Sequence, residues 1–254
     1  MTLPPRILVI AGSDSSGGAG IQADIKTVTM LGGYAMTAVT AITAQNSLGV
    51  TAVETLSAAM VTAQIQACVS DIGVDAVKIG MLGSAQIAHA VADALEGLDA
   101  PVVFDPVMIA TSGSVLADGP TVEAFGRLMA LATVTTPNLP ELAALGGFKA
   151  VRARTGSLLV KGGHGTGAEV EDVLYASGAI RRYTSQRIDT RHTHGTGCTL
   201  ASAIATGLGA GLALPEAVVR ATEYVHRAIL AAPGYGAGNG PLGHTLGRVP
   251  FDEA

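Results

Sequence analysis

Short apolar runs that alternate with helix-length amphipathic stretches constrain this chain more than any other feature. The segment RILVIAG (6–12) reads as a strand. It is followed by GIQADIKTVTMLGG (20–33), in which Ile21, Ile25, Val28 and Leu31 fall on one helical face before Gly32 and Gly33 end the pattern. The alternation continues with strands at 36–43 and 49–56, a helix at 57–72, a strand at 76–80, a helix at 84–97 and a strand at 101–106. A helix at 119–131, a strand at 132–138, a helix at 140–145 and a strand at 157–163 complete it. Strands separated by helices predict a mostly parallel sheet with helices on both faces.

The last third changes character. Residues 170–185 read as a hairpin turning at Ser177-Gly178, which would extend one edge of the sheet with antiparallel strands. Helices are then expected from Cys198 to about Leu208 and across 214–231. No proline-rich linker, composition break or fixed-period repeat interrupts the 254 residues, so one domain over 1–254 is expected. The Gly-rich tail APGYGAGNGPLGHTLGRVPFDEA reads as a surface loop leading to a loosely held end at 245–254.

With 48% hydrophobic and 14% charged residues the chain has ample core material. The net charge is −5 and no Lys/Arg run occurs, which argues against nucleic acid as a partner. Two cysteines cannot make a disulfide framework, and a reducing compartment fits them. The apolar run near the N-terminus is too short for a membrane span, so a cytoplasmic protein without a membrane partner is expected.

In an open parallel sheet, ligands lie beyond the carboxyl ends of the strands. The segments there are AGSDSSGGAG, TAQNSLG, GMLGS, DPVMIATSG, TPNLPE, KGGHGTG and HGTGC, and they concentrate glycines and polar groups. HGTGC (194–198) precedes a helix. The unpaired N–H groups and partial positive charge of a helix start suit an anion, and glycines let the backbone approach it. A plain Gly-rich turn with Thr196 near the cap fits as well. Cys198 would have a lowered pKa at a helix start and could act as proton acceptor or nucleophile; a small buried hydrophobe is the competing reading. Residues 12–24 are Gly- and Ser-rich but match neither the Walker loop nor the dinucleotide fingerprint. Asp24 in that segment also reads as a simple helix carboxylate.

Asp105, Asn138 and Glu141 all follow strands and can converge. Two carboxylates and an amide oxygen are hard ligands suited to Mg²⁺ with phosphates, although Asn138 and Glu141 are also spaced as a capping box. Lys161, at a strand end beside two glycines, can neutralise a transferring phosphate or simply face water. His192 and His194 would point the same way on an extended segment, but no third ligand has zinc-site spacing. A serine-hydrolase elbow is absent.

Together AGSDSSGGAGIQADIKT, TAITAQNSLGV, VKIGML, DPVM, TPNLPE, LVKGGH and HTHGTGCTLASAIA resemble the hydroxymethylpyrimidine/phosphomethylpyrimidine kinases of thiamine biosynthesis, over about residues 7–245. The resemblance implies a ribokinase-like three-layer α/β/α sandwich with a mostly parallel central sheet and antiparallel edge strands. It implies ATP- and Mg²⁺-dependent phosphorylation of 4-amino-5-hydroxymethyl-2-methylpyrimidine and then of its monophosphate, and a homodimer. Gln45 would bind the pyrimidine in a pocket lined by Gly12, Asp24, Thr43, Met81 and Val107. Gly195, Thr196 and Gly197 would form the anion hole, with Cys198 where the superfamily's sugar kinases carry a catalytic aspartate. Asn138, Asp105, Glu141 and Lys161 would serve the nucleotide and metal. Thr111 stands where many members have Lys. Pyridoxal kinase, which shares the superfamily, is the alternative, and a non-catalytic pyrimidine-binding protein is the alternative from another class.

Overall fold

The computed structural model describes residues 3–109, 113 and 115–249. Strand β1 (Arg6–Asp14) leads through a Ser/Gly loop into helix α1 (Gly20–Met30), and β2 (Tyr34–Gln45) follows, paired parallel to β1. Next come β3 (Val50–Thr55), α2 (Ala58–Ala67) with a π-turn at 68–72, β4 (Ala76–Ile79), α3 (Ala85–Leu95), β5 (Val102–Phe104) and α4 (Gly119–Leu131). The chain continues through β6 (Val134–Thr135), α5 (Leu139–Ala144), α6 (Phe148–Arg152) and β7 (Leu158–Val160). The hairpin β8 (Glu169–Ala176) and β9 (Ala179–Gln186) precedes α7 (Thr196–Gly209) and α8 (Leu214–Leu230).

The nine strands form one sheet in the order β3-β2-β1-β4-β5-β6-β7-β8-β9. β1, β2, β4, β5, β6 and β7 are parallel, whereas β3 is antiparallel to β2, and β8 and β9 are antiparallel at the far edge. The expected hairpin turns at Ser177-Gly178, with Ser177 at φ 50°. Antiparallel pairing, expected at one edge, occurs at both, because a turn of a few residues after Gln45 sends β3 straight back along β2.

Alternation along β1 builds the layers. Leu8 and Ile10 pack into the core beneath α2, α3 and α4, while Ile7, Val9 and Ala11 pack beneath α1, α7 and α8. Both faces of this strand are dry, as a central parallel strand requires. The result is the expected α/β/α sandwich. Sequence order reverses between β1 and β4, which places the topological switch point between the third and fourth of the nine strands.

The Gly-rich tail is anchored just ahead of the end expected to be loosely held. Leu242 and His244 are buried, the Tyr224 hydroxyl donates to the His244 carbonyl at 2.7 Å, and Thr199 Oγ1 lies 3.0 Å from His244 Nε2. Of the loosely held end expected over 245–254, residues 250–254 lie outside the described residues. Among the described residues no helix is long and apolar enough to cross a membrane.

Candidate active site

The loop between β1 and α1 is organised by a residue that sequence reasoning passed over. The Asp14 carboxylate accepts from the Ser16 N–H and hydroxyl at 2.8 Å each, from the Gly18 N–H at 3.2 Å and from the Ala19 N–H at 2.8 Å. It also meets His194 Nε2 at 2.8 Å. Burial alone would raise the Asp14 carboxyl, but the bonds from His194, Ser16 and Ala19 outweigh it and hold the group below its ordinary value. The two histidines do not share a site. His194 turns to Asp14 and Gln45, whereas His192 packs against Gly240.

Helix α7 begins two residues earlier than expected, at Thr196, with Gly195 as N-cap at φ 89°. A side chain at Gly195 would overlap the Gly18 carbonyl, so the turn takes only glycine. The first intrahelical bond runs from Thr199 N–H to the Gly195 carbonyl at 2.9 Å, and helix geometry leaves the amides of Gly197 and Cys198 to face whatever lies in front of them. What lies in front is charged. A Cβ built on Gly197 would sit 3.3 Å from Asp105 Oδ2 and 3.4 Å from Lys161 Nζ.

Cys198 is half-buried at the cavity wall. Burial pushes its thiol up to about 11, against the pull of the Lys78 ammonium and a hydrogen bond from the Gly20 backbone. This corrects the expectation of a lowered pKa: a helix start alone does not outweigh loss of solvent. One turn further along each helix lies a second junction. The Ser202 hydroxyl of α7 donates to Asp24 Oδ1 of α1 at 2.7 Å. Asp24 is also gripped by Lys78 Nζ of β4 at 2.8 and 3.0 Å, and neither side chain is exposed. Asp24 therefore does not line the cavity as the resemblance implied; its carboxylate is consumed by a buried ion pair. Lys78 was missed in the sequence, though a lone lysine within AVKI, on the strand face shared with Ala76, is a signal that a buried counter-charge is needed.

The opposite wall carries the acid–lysine corner. Lys161 Nζ donates to Asp105 Oδ1 at 2.6 Å and lies 3.8 Å from Glu141 Oε2. Burial opposes the lysine's charge, but Asp105 and Glu141 outweigh it and raise its pKa. Burial pushes Glu141 up to about 6 despite the neighbouring Lys161. Asn138 and Glu141 form the capping box of α5, each accepting at 2.8 Å from the other's backbone N–H. Among the described residues no three His, Cys, Asp or Glu side chains cluster as a metal cage. Two hard carboxylates facing one cavity nonetheless fit an ion that takes one or two protein ligands and completes its shell with phosphates and water.

These walls enclose a cavity of about 740 Å³ at the carboxyl ends of the strands. Gly12, Thr43, Gln45, Met81 and Val107 line it together with Asp105, Asn138, Glu141, Lys161 and residues 195–198, whereas Asp24 and His192 do not. Gly12 has a steric reason to be glycine, since a Cβ would sit 2.8 Å from Met81 Sδ. Thr111 lies outside the described residues.

A helix-start cradle facing a lysine and two carboxylates, set at the switch point of an α/β/α sandwich, defines the class: a ribokinase-like phosphotransferase. The phosphomethylpyrimidine kinase family profile matches residues 14–243. The chain is 47% identical over 255 residues to the hydroxymethylpyrimidine/phosphomethylpyrimidine kinase of Streptomyces coelicolor, covering 95% of this chain and 94% of that protein. It is 49% identical over 254 residues to the enzyme of the same name from Rhizobium meliloti, covering 93% and 96%. Among solved structures, an ADP complex of Bacillus subtilis pyridoxal kinase superposes with a TM-score of 0.89 at 34% identity, covering 98% of this chain and 100% of that one. The chain belongs to the phosphomethylpyrimidine kinase family.

Proposed function

We propose that the protein transfers the γ-phosphoryl group of ATP to the hydroxyl of 4-amino-5-hydroxymethyl-2-methylpyrimidine and then phosphorylates the monophosphate to the diphosphate, as a step in thiamine biosynthesis. The observation that carries this reading is the approach of the Gly195–Cys198 helix start to Lys161 and Asp105 across one cavity. Phosphoryl transfer needs positioning and charge stabilisation more than covalent help. The amides of Gly197 and Cys198 would grip the migrating group while Lys161 neutralises the charge that develops on it. Asp105 and Glu141 would hold Mg²⁺ beside the nucleotide, where the ion would neutralise phosphate charge.

The two acceptors make different demands. The hydroxymethyl group must lose a proton, and Cys198, which lines the cavity, would receive it on sulfur. The monophosphate attacks through an oxygen already deprotonated near neutral pH, so it needs no base. Gln45 supports a pyrimidine substrate because its amide offers a donor and an acceptor side by side. A cytoplasmic homodimer accompanies this reading, and light scattering tests the dimer.

The structural likeness to a pyridoxal kinase favours a second reading, vitamin B6 phosphorylation. The relatives at 47% and 49% identity, both pyrimidine kinases, favour the first. An ATP-coupled assay separates them. The pyrimidine should exceed pyridoxal in kcat/KM by about tenfold or more, about 1.4 kcal/mol of transition-state binding. The reverse order would establish the B6 activity, and turnover of neither would leave a binding protein.

A further inference from the structure

We propose that Arg187 binds the phosphate chain of the nucleotide: it draws two carbonyls of the glycine loop 162–168 aside and offers its own unpaired Nη2 to a phosphate oxygen. The inference rests on the ATP-dependent kinase reading and deepens it.

Arg187 directly follows β9 and lines the cavity, as do Lys161, Gly163, His164 and Asp172. Its Nε donates to the Gly167 carbonyl at 2.7 Å and its Nη1 to the Gly163 carbonyl at 2.9 Å. Its Nη2 is enclosed and has no hydrogen-bond partner. Among the described residues no carboxylate pairs with this guanidinium. Lys161, by contrast, already shares its charge with Asp105 and Glu141. Arg187 therefore brings an uncompensated positive charge and unused N–H groups to the cavity wall. A buried donor without a partner is costly, and a guanidinium fork matches the oxygens of a phosphate.

The loop that Arg187 holds begins one residue after Lys161. Gly162 is fixed by its N–H, which donates to Asp172 Oδ1 at 2.8 Å, and a Cβ there would overlap the Glu171 carbonyl. Among the described residues, 163–167 are hydrogen-bonded only through Arg187 and through the Gly165 N–H, which donates to the Gly162 carbonyl at 2.9 Å. A trans peptide sets its carbonyl and its N–H on opposite sides. With the Gly163 carbonyl drawn to Arg187, the His164 N–H is turned away from it and has no acceptor among the described residues. Arg187 thus occupies two carbonyl oxygens that would repel phosphate and leaves amide N–H groups to meet it. Gly165 lies against Nη2, since a Cβ built on that glycine would sit 3.9 Å away. A shift of this lightly held turn opens Nη2 to a phosphate oxygen.

Calorimetry with ADP and with adenosine, which differ only in the phosphates, tests the assignment. Arg187→Gln should weaken ADP by about 10- to 100-fold, the loss expected for hydrogen bonds to a charged group, and leave adenosine binding unchanged. Arg187→Lys should recover only part of that loss, because an ammonium keeps the charge but cannot span the Gly163 and Gly167 carbonyls. In steady state, KM for ATP should rise while KM for the pyrimidine stays the same. Undiminished ADP binding in Arg187→Gln, or equal weakening of adenosine, overturns the proposal. A structure of the unaltered protein with ADP tests it without any variant. A phosphate oxygen should stand within hydrogen-bond distance of Arg187 Nη2, and phosphates bound beyond its reach defeat the assignment while leaving the kinase reading intact. If the unaltered protein binds neither ADP nor ATP, the kinase reading falls and this role of Arg187 with it.

Discussion

Cys198 is pulled two ways, by burial that favours the thiol and by the Lys78 charge that favours the thiolate, and burial wins. With a pKa of about 11, the thiolate is the minor form at neutral pH and grows about tenfold per pH unit below that value. If the sulfur takes the hydroxyl proton, the single-turnover rate of the first phosphorylation should climb with the same slope above neutrality, while the second stays flat. Cys198→Ala should remove the slope and slow the first step far more than the second. Equal losses in both steps would deny the sulfur its role as base. At this scale the sequence was legible where a residue sits at or beyond the end of a strand or at a helix start, as Gln45, Lys161 and the 195–198 stretch do. It misled where a side chain points into the fold. Asp24 and Lys78 are assigned by their partner across the sheet–helix interface, and no local pattern announces a contact between residues 54 positions apart.

Helix α7 depends on glycine at both ends for different reasons. Gly195 combines φ 89° with a Cβ position blocked by the Gly18 backbone, whereas Gly211, just past the helix, has φ 84° and open space around it. Gly211→Ala should therefore cost about 1 kcal/mol of stability, the strain of the left-handed region alone, with turnover unchanged. Gly195→Ala should displace the whole cradle and lower kcat by about 10²–10³. Thermal unfolding and steady-state rates on the two variants check this; comparable turnover in both would mean that the helix start does not hold the phosphoryl group. Strand–helix alternation was readable because apolar periodicity reports it. The strands expected at 49–56 and 132–138 are β3 and β6, whereas the five-residue α6 is too short to express a period and was not expected.

Across the whole molecule, the buried tail gives stability an acid-sensitive component. Burial lowers the His244 imidazole from 6.5 to about 4, with Lys26 adding to the effect. The folded state therefore holds His244 neutral while the unfolded chain protonates it. Its contribution is intact above pH 6.5 and is lost as pH falls toward 4, roughly 3 kcal/mol in all. Glu141, raised from 4.5 to about 6, works in the opposite sense between those two values and offsets part of the slope. Urea unfolding of the unaltered protein and His244→Gln should show a stability difference that shrinks as the solution is acidified from pH 6.5 to 4. A difference independent of pH would mean that the imidazole titrates alike in the folded and unfolded states. The anchor of this segment was not legible, because Leu242 and His244 are single side chains with no periodic signature.

The junction of Lys78, Asp24 and Ser202 joins an inner strand to α1 and α7, the two helices whose first turns flank the Cys198 sulfur. Those turns are consequently welded to the most protected interior of the protein and cannot loosen separately from it. Warming should then produce no inactive but folded species arising from this corner: catalytic competence and cooperative structure vanish at one temperature.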